Sequence, residues 1–394
     1  MIYIVTVLVI FLGIIVFDLN DTKNGRDMYY LLVCLWLIIM SSIQYRMGAD
    51  IPAYMGEYEQ YSKNLSWSYL DSYASRRPGW VLLNVVCNFF SKDFVLLKTV
   101  LSVFVHGIIF LFFKKYTKYI FTSVLIYFLV LYLQLSFNVL RASVAIALFL
   151  FAFKFIIEKK WVPYLIVTVV ALMFHESALV FFVLPFFARI NVKPQNIRLY
   201  IFLVVGVTLI TFFLPNLSGQ FASLVSLVGN SVLSDRVGTY VDGDMYTEFH
   251  FTIFGFIENF MYVAIYLFFF WYAVKYDLIR KEFRGLYVFF LLINIFNGLF
   301  PALYRFNQFV QPSYVIIAAD VIIHMCKRLR SLRVVPLIGA FIVLAFVHLH
   351  VLFIPSSYGE LPIIQYYPYY TVFEGETYWP REMLWGYKDT RTLY

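Results

Sequence analysis

The chain has 394 residues, of which 62% are hydrophobic and only 14% charged, with a mean hydropathy of +0.78. That balance excludes a soluble protein of two or three domains, the usual expectation at this length. The net charge of +8 would suit nucleic acid, but its distribution along the chain argues against such a partner.

Crossing ~30 Å of hydrocarbon takes about 20 apolar residues in a helix, somewhat fewer where the bilayer thins. Runs of that kind stand at roughly 2–17, 28–45, 94–113, 119–136, 139–157, 161–174, 177–188, 198–214, 254–274, 286–300, 309–326 and 335–353. They predict an all-α polytopic membrane bundle of about twelve spans. Barrel strands would alternate with period two, which runs such as FLFFKK do not. The first run lacks a basic leader and a small-x-small cleavage site, so it reads as a retained helix. The run at 79–91 is short for a span and reads as a re-entrant or interfacial half-helix. Cys34, Cys87 and Cys326 lack C-x-x-C spacing, so neither a disulfide framework nor a zinc site is expected.

The short segments near 23–26, 114–118, 154–160, 189–198, 275–284 and 327–333 hold 19 of the 31 Lys and Arg residues. The positive-inside rule makes them cytoplasmic, so the net charge reflects topology. The opposite face then carries outer loops 46–78 and 215–253, the turns near 137, 175 and 301–308, and the aromatic tail 354–394 beyond the membrane domain 1–353. Arg46, Asp50, Arg141, His175, Glu176 and Arg305 all fall on or beside that face. Ionisable groups at a membrane boundary are costly and mark function by default.

Taken in order, YRMGADIPAYMGEY (45–58) places Arg46 and Asp50 four residues apart, on one face of any helical turn. A snorkelling arginine with an acid partner would leave the same trace. SRRPGWVLLN (75–84) sets Arg76 and Arg77 before Pro78, whose position suits a helix N-terminus, where the dipole favours anions. A loop turn with interfacial arginines is its bland account. In LSFNVLRASVAIALFLF (135–151), Ser136 or Asn138 is expected to cap a helix with Arg141 in its first turn. An arginine there opposes the macrodipole, a conflict that an anion would resolve; a structural ion pair is the alternative. Ala142, Ser143, Ala145 and Ala147 allow close helix contact.

VALMFHESALVFF (170–182) divides two short runs at His175 and Glu176. Fourteen helical residues cover only about 21 Å, so His175 is expected at a recessed floor. It could act as a base, donate to phosphate, or simply satisfy a carbonyl in a tight turn. LFPALYRFNQFVQP (299–312) places Arg305 among aromatics, where a cation–π pair is the plain reading. Asp242-x-Asp244 has the acidic spacing of a metal-dependent sugar-nucleotide site, but a solvated loop accounts for it. The Tyr- and Trp-rich tail reads as an interfacial belt or as a platform for sugar faces. Walker A, G-x-S-x-G and H-E-x-x-H patterns are absent from the sequence.

Taken together, YRMGAD followed by Tyr54, RRPGWVLLN, FNVLRASVA, FHESA, the arginine of LYRFNQ and the late YYPYYTVF make the chain resemble the EpsG-like family, related in role to Wzy-type O-antigen and capsule polymerases. Two departures stand out: Arg77 replaces a usual Glu, and Ala142 a common Gln. The resemblance implies a GT-C-like glycosyltransferase of the bacterial inner membrane, with its active site facing outside. It would move a glycan from undecaprenyl pyrophosphate onto a lipid-linked repeat unit, without metal or cofactor. Its implied partners are that lipid-linked oligosaccharide, membrane lipid and a polysaccharide chain-length regulator. Arg141 and Arg305, assisted by Arg46, would bind pyrophosphate, with Arg77 and Glu176 also near substrate, and Asp50 or His175 would be the base. A lipid-oligosaccharide flippase, a glycan acyltransferase using His175 and a single-sugar transferase are the competing functions.

Overall fold

A computed structural model of the protein describes residues 1–63, 77–190, 192–193, 196–213, 253–297, 303–329, 333–355, 361–374 and 378–384. Among them the structure is helical throughout, and the one extended pairing is an isolated bridge between Gln44 and Thr371. Arg76, Asp242 and Asp244 lie outside the described residues.

The helices are α1 (Ile2–Leu19), α2 (Arg26–Ile43), α3 (Ile51–Lys63), α4 (Pro78–Phe90), α5 (Phe94–Tyr116), α6 (Ile120–Phe137), α7 (Leu140–Ile157), α8 (Trp161–Leu172), α9 (Glu176–Ala188), α10 (Ile197–Phe213), α11 (Ile253–Lys275), α12 (Lys281–Asn297), α13 (Tyr304–Arg328), α14 (Val334–Phe353) and α15 (Trp379–Leu384). Each apolar run of the sequence falls on one of them. Among the described residues seven, namely α1, α2, α5, α6, α7, α13 and α14, are long and apolar enough to cross a membrane, where the sequence predicts about twelve spans. The 13 residues of α4 reach only about 20 Å at the helical rise. The end of α1 is π-helical at Ile14–Leu19, and so is the middle of α6 at Phe128–Tyr132.

The chain divides into two compact units, Met1–Leu179 with Ile322–Tyr394, and Val180–Val321. In the first unit α2 and α5 run antiparallel. Tyr30 Oη donates to the Phe110 carbonyl (2.7 Å) near one end of the pair, and Ser102 Oγ to Ser41 Oγ (2.8 Å) nearer the other. Helix α6 lies alongside, with Tyr132 Oη on the Leu37 carbonyl. His106, deep in α5, spends both ring nitrogens, on Tyr127 Oη (2.7 Å) and Ser136 Oγ (3.0 Å). An imidazole in apolar surroundings must be satisfied in this way.

One end of this unit collects its basic segments. Lys327 pairs with Asp21 (2.7 Å) and Lys114 with Asp27 (3.0 Å), and the Arg26 guanidinium reaches the Lys118 carbonyl. Buried there, Asp18 Oδ2 accepts from both the amide and the hydroxyl of Thr122 (2.8 Å each), fastening the start of α6 to α1. The helices carry the chain from this end to the residues near 45, 78, 138 and 175 at the other.

In the second unit Arg284 sits buried on α12, giving Nη1 to the Val192 carbonyl (2.9 Å) and Nη2 to Asp277. Next to it Gly285 passes so close to Phe187 that a Cβ would stand 1.7 Å from the carbonyl oxygen. Parallel rings of Phe270 and Tyr287 (5.0 Å), and of Phe290 and Tyr314 (5.1 Å), fill its interior. Asn294 and Asn307 exchange amide hydrogen bonds of 3.1 and 3.3 Å.

Replacing Asp18 with Ala is expected to cost about 1–3 kcal/mol, because it strands the Thr122 donors. The detergent-solubilised variant should unfold at a lower temperature, and Asp18→Asn should recover part of the loss. An unchanged midpoint for the alanine variant would show that the contact does not hold α1 to α6.

Candidate functional site

The first unit brings five separated sequence motifs to one end. The hinge of the arrangement is the step between α6 and α7. Asn138 does not cap α7: no side chain does. Its Oδ1 instead accepts from the Ala49 amide (2.7 Å), and its Nδ2 donates to Tyr366 Oη. Ser136, the other expected cap, bonds His106. The capping expectation fails because loop 45–50 lies against this break and takes the amide side chain for itself.

Gly48 is what lets the loop come so near. Its φ is +88°, and a Cβ would stand 1.7 Å from the Phe137 carbonyl oxygen. Asp50 follows, exposed, and its carbonyl accepts from the Tyr54 amide (3.1 Å) at the start of α3. That helix buries Tyr54, which is 4% exposed and edge-on to Trp80 (5.2 Å between centroids). Trp80 Nε1 in turn donates to Glu57 Oε2 (3.0 Å).

Arg141, in the first turn of α7, is half-buried. Its guanidinium carbon lies 5.2 Å from the centroid of the Tyr54 ring, and its Nε is buried with no hydrogen-bond partner. A cation held against an aromatic face keeps its position without being neutralised. Burial pushes the Tyr54 phenol up to about 12, against the opposing pull of Arg141. Tyr54 therefore stays neutral at physiological pH.

Arg46 is placed differently. Its Nε and Nη2 each meet a carboxylate oxygen of Glu382 at 2.6 Å, a two-pronged pair on which Glu382 is almost wholly enclosed. Neighbouring Arg381, 1% exposed, donates to the carbonyls of Ile364 (2.7 Å) and Pro368 (2.5 Å). Burial brings Arg381 down to about 10, so it still carries its charge near neutrality. The tail is laced to the first loop by backbone as well: Gly48 donates to Gln365, Tyr45 to Tyr370 and Val372 to Ile43, all at 2.9 Å. Tyr366, Tyr369 and Tyr370 thus serve as fasteners. The 336-residue gap between Arg46 and Glu382 is why the sequence could not pair them.

At α4 the expected anion-binding terminus is already occupied. Gly79 donates to the Met173 carbonyl (3.0 Å), and Trp80 and Val81 to that of Arg77 (3.1 and 3.2 Å). Arg77 is half-buried at the cap position. The same Met173 leads to His175, which is 9% exposed. His175 Nδ1 accepts the Ser177 amide (3.1 Å) and meets its hydroxyl at 2.6 Å. Accepting at Nδ1 puts the ring proton of the neutral imidazole on Nε2, so the ring presents a donor there. Glu176 is exposed beside it. Arg305, half-buried at the start of α13, belongs to the second unit, two residues from Asn307.

Sequence reasoning missed Lys98 and Gln44. Lys98 is 1% exposed within α5 and donates to the Ser136 carbonyl. Gln44 is 3% exposed, and its Nε2 is buried without a partner. Among the described residues no cluster of three His, Cys, Asp or Glu side chains could hold a metal ion, and all three cysteines are free and buried.

Helices of this length and composition make the molecule an integral membrane protein. A family model described as the EpsG family matches residues 27–371, and the chain belongs to that family. Membership points to polysaccharide biosynthesis at a membrane. No curated protein and no solved structure shows significant similarity to the chain.

Breaking the Arg46–Glu382 pair from either side should cost roughly 3–5 kcal/mol, since each single change strands an enclosed charge. The Arg46→Ala/Glu382→Ala double variant should lose clearly less than the two singles summed. Limited proteolysis should cut the tail of each single variant sooner than that of the parent protein. Strict additivity of the losses would refute the pairing.

Proposed function

We propose that the protein is a membrane polysaccharide polymerase, a glycosyltransferase that transfers a glycan from undecaprenyl pyrophosphate onto a hydroxyl of a lipid-linked repeat unit. In this reading all twelve long apolar runs cross the bacterial inner membrane in a GT-C-like bundle. The basic end faces the cytoplasm, and the Arg141 end faces outward. Family membership supports the polysaccharide chemistry, and the separation of the first unit's own basic segments from its Arg141 end supports the orientation.

The observation that carries the reading is the state of Arg141. Arg46, Arg284 and Arg381 are all hydrogen-bonded within the fold. Arg141 has the Tyr54 side chain as its described partner and, like Arg284, a buried Nε left unpaired, but it stands at a helix start that its charge destabilises. An anion satisfies the dipole, the guanidinium and the unpaired N–H together.

The reaction then runs as follows. The bond between the anomeric carbon and the phosphate oxygen breaks, and undecaprenyl pyrophosphate leaves with the electron pair. The acceptor oxygen forms the new glycosidic bond, and its proton passes to a base. Arg141 meets the charge gathering on the leaving oxygen. A preformed donor of that kind is worth roughly 2–4 kcal/mol in the transition state.

Asp50 suits the base better than His175. Its carboxylate is exposed at the loop edge, close enough to Tyr54 to act on it electrostatically, and Arg141 lies on that same ring. His175 has committed Nδ1 to Ser177 as acceptor, which makes it an anchor for the turn or a hydrogen-bond donor.

In a strain lacking the gene, the parent protein should restore long-chain polysaccharide. Arg141→Ala should abolish it at normal protein level, and Arg141→Lys should restore only a small fraction, because an ammonium lacks the planar fork. Single repeat units should accumulate outside the null cells; accumulation inside would instead fit a flippase. Normal chain lengths from Arg141→Ala would refute the assignment. Asp50→Asn should likewise lose at least ~10²-fold in activity as a missing base, whereas equal activity would return His175 to the role.

A further inference from the structure

Lys98 lies just over one turn into α5, inside a helix of membrane-spanning length. Its Nζ donates to the Ser136 carbonyl and stands 5.8 Å from the centroid of the Phe137 ring. No described carboxylate pairs with it. An ammonium has three donors, and one carbonyl uses only one of them. A charge held at membrane depth without a counter-charge is expensive.

Beside Lys98 opens a cavity of about 120 Å³, whose wall includes Ser42, Gln44, Tyr45, Asp93 and Val372. Its buried polar groups are nearly all donors or already spent. Gln44 Oε1 accepts the Met47 amide (3.1 Å), while Gln44 Nε2 is buried without a partner. Ser42 Oγ donates to the Ile38 carbonyl. The one carboxylate, Asp93, is exposed at the rim, where its Oδ1 accepts the Val95 amide (2.9 Å) and caps α5. Lys98 and Gln44 on that wall therefore carry an ammonium with one hydrogen bond spent and an enclosed amide N–H without a partner, a pairing that calls for an acceptor-rich, negatively charged group. The volume is far below the 300–1,000 Å³ typical of sites for drug-sized ligands. It suits a phosphate-sized headgroup and excludes an oligosaccharide.

We propose that this cavity is a second anion subsite, which holds a phosphate of the lipid-linked acceptor. The inference rests on the polymerase reading for the identity of the ligand, and on the geometry alone for its charge. Lys98 bonds the last turn of α6 and Arg141 begins α7, so the two cations flank one helix break. Their duties differ. Arg141 faces the phosphate that departs, whose charge grows in the transition state. Lys98 faces the phosphate that stays, whose charge does not change, so its binding lowers the acceptor KM and leaves kcat alone. Capping the α6 C-terminus would account for one Lys98 hydrogen bond, but not for the unpaired Gln44 amide or the cavity between them.

The test isolates this subsite in an Arg141→Ala background, purified in detergent and titrated calorimetrically with inorganic pyrophosphate. A parallel titration uses nanodiscs with or without undecaprenyl pyrophosphate. Gln44→Glu is nearly isosteric, keeps the acceptor for Met47 and replaces the free donor with a negative oxygen beside Lys98. It should weaken anion binding at least ~10-fold, about 1.4 kcal/mol, with thermal unfolding unchanged or raised. Lys98→Gln should weaken binding similarly. Binding of both probes, lost in Gln44→Glu, supports a general phosphate site; binding of the lipid alone, lost in the same way, supports one that requires the lipid. Absence of binding to either probe, or equal binding by Gln44→Glu, overturns the proposal. Because binding is read without polymer synthesis, a failure of the polymerase reading remains distinguishable from a failure of this one.

Discussion

The step between α6 and α7 is the constraint on which the arrangement at this end depends. Two helices of spanning length are joined through Asn138 and Val139, so four backbone carbonyls of one and four amides of the other must find partners or water. The protein supplies one such partner from elsewhere, since Lys98 takes the Ser136 carbonyl, while the Asn138 side chain holds the Ala49 amide of the first loop. Because Gly48 has no Cβ, the first loop can lie on the Phe137 carbonyl itself. Asp50, Tyr54 and Arg141 take their places from that one contact. Gly48→Ala would thus disturb the site without touching any group with chemistry.

Around the break, charges are sorted by whether the fold neutralises them. Arg46 is closed by Glu382, and Arg381 by main-chain carbonyls of the tail. These two act as rivets, fixing the first loop and the tail to one another. Arg141 and Lys98 are held by weaker means, an aromatic ring in one case and a single carbonyl with a ring in the other. A protein that buries a cation bears a desolvation cost whether or not the cation is paired. On the proposed function, the two cations left underused at one end of the bundle await the phosphates of the substrates.

The helices were legible in the sequence because a membrane helix must be apolar along its whole length: each long run falls on a helix, and seven of those helices are long and apolar enough, among the described residues, to cross a membrane. Arg141 was legible for a related reason, since a cation in a first turn conflicts with the helix dipole. The capping of α7 was misread because Asn138 had two candidate uses, and only the approach of residue 49 decides between them. The pairing of Arg46 was illegible because its partner, Glu382, lies 336 residues away in the chain. Lys98 was invisible for the opposite reason. The other two lysines of α5, Lys114 and Lys115, stand in its last turn; a single lysine in its interior barely lowers the hydropathy average and is smoothed over.

A lipid-linked substrate imposes its own geometry on any enzyme that uses it. The tail stays in hydrocarbon, so the phosphates cannot rise far above the headgroup layer, and reacting groups must be brought to that depth. A soluble domain standing on the membrane would have to reach down. A bundle in which helices end and restart at the interface has its polar backbone there already. The α6–α7 break, the short α4 and the turn at His175 all interrupt helical structure at this end of the first unit. Two phosphates joined to two lipids also need two cations that do not neutralise the same group, and a helix break offers two flanks. On the proposed function, the division of labour between Arg141 and Lys98 follows from that: one flank stabilises charge as it forms, and the other holds charge that never changes.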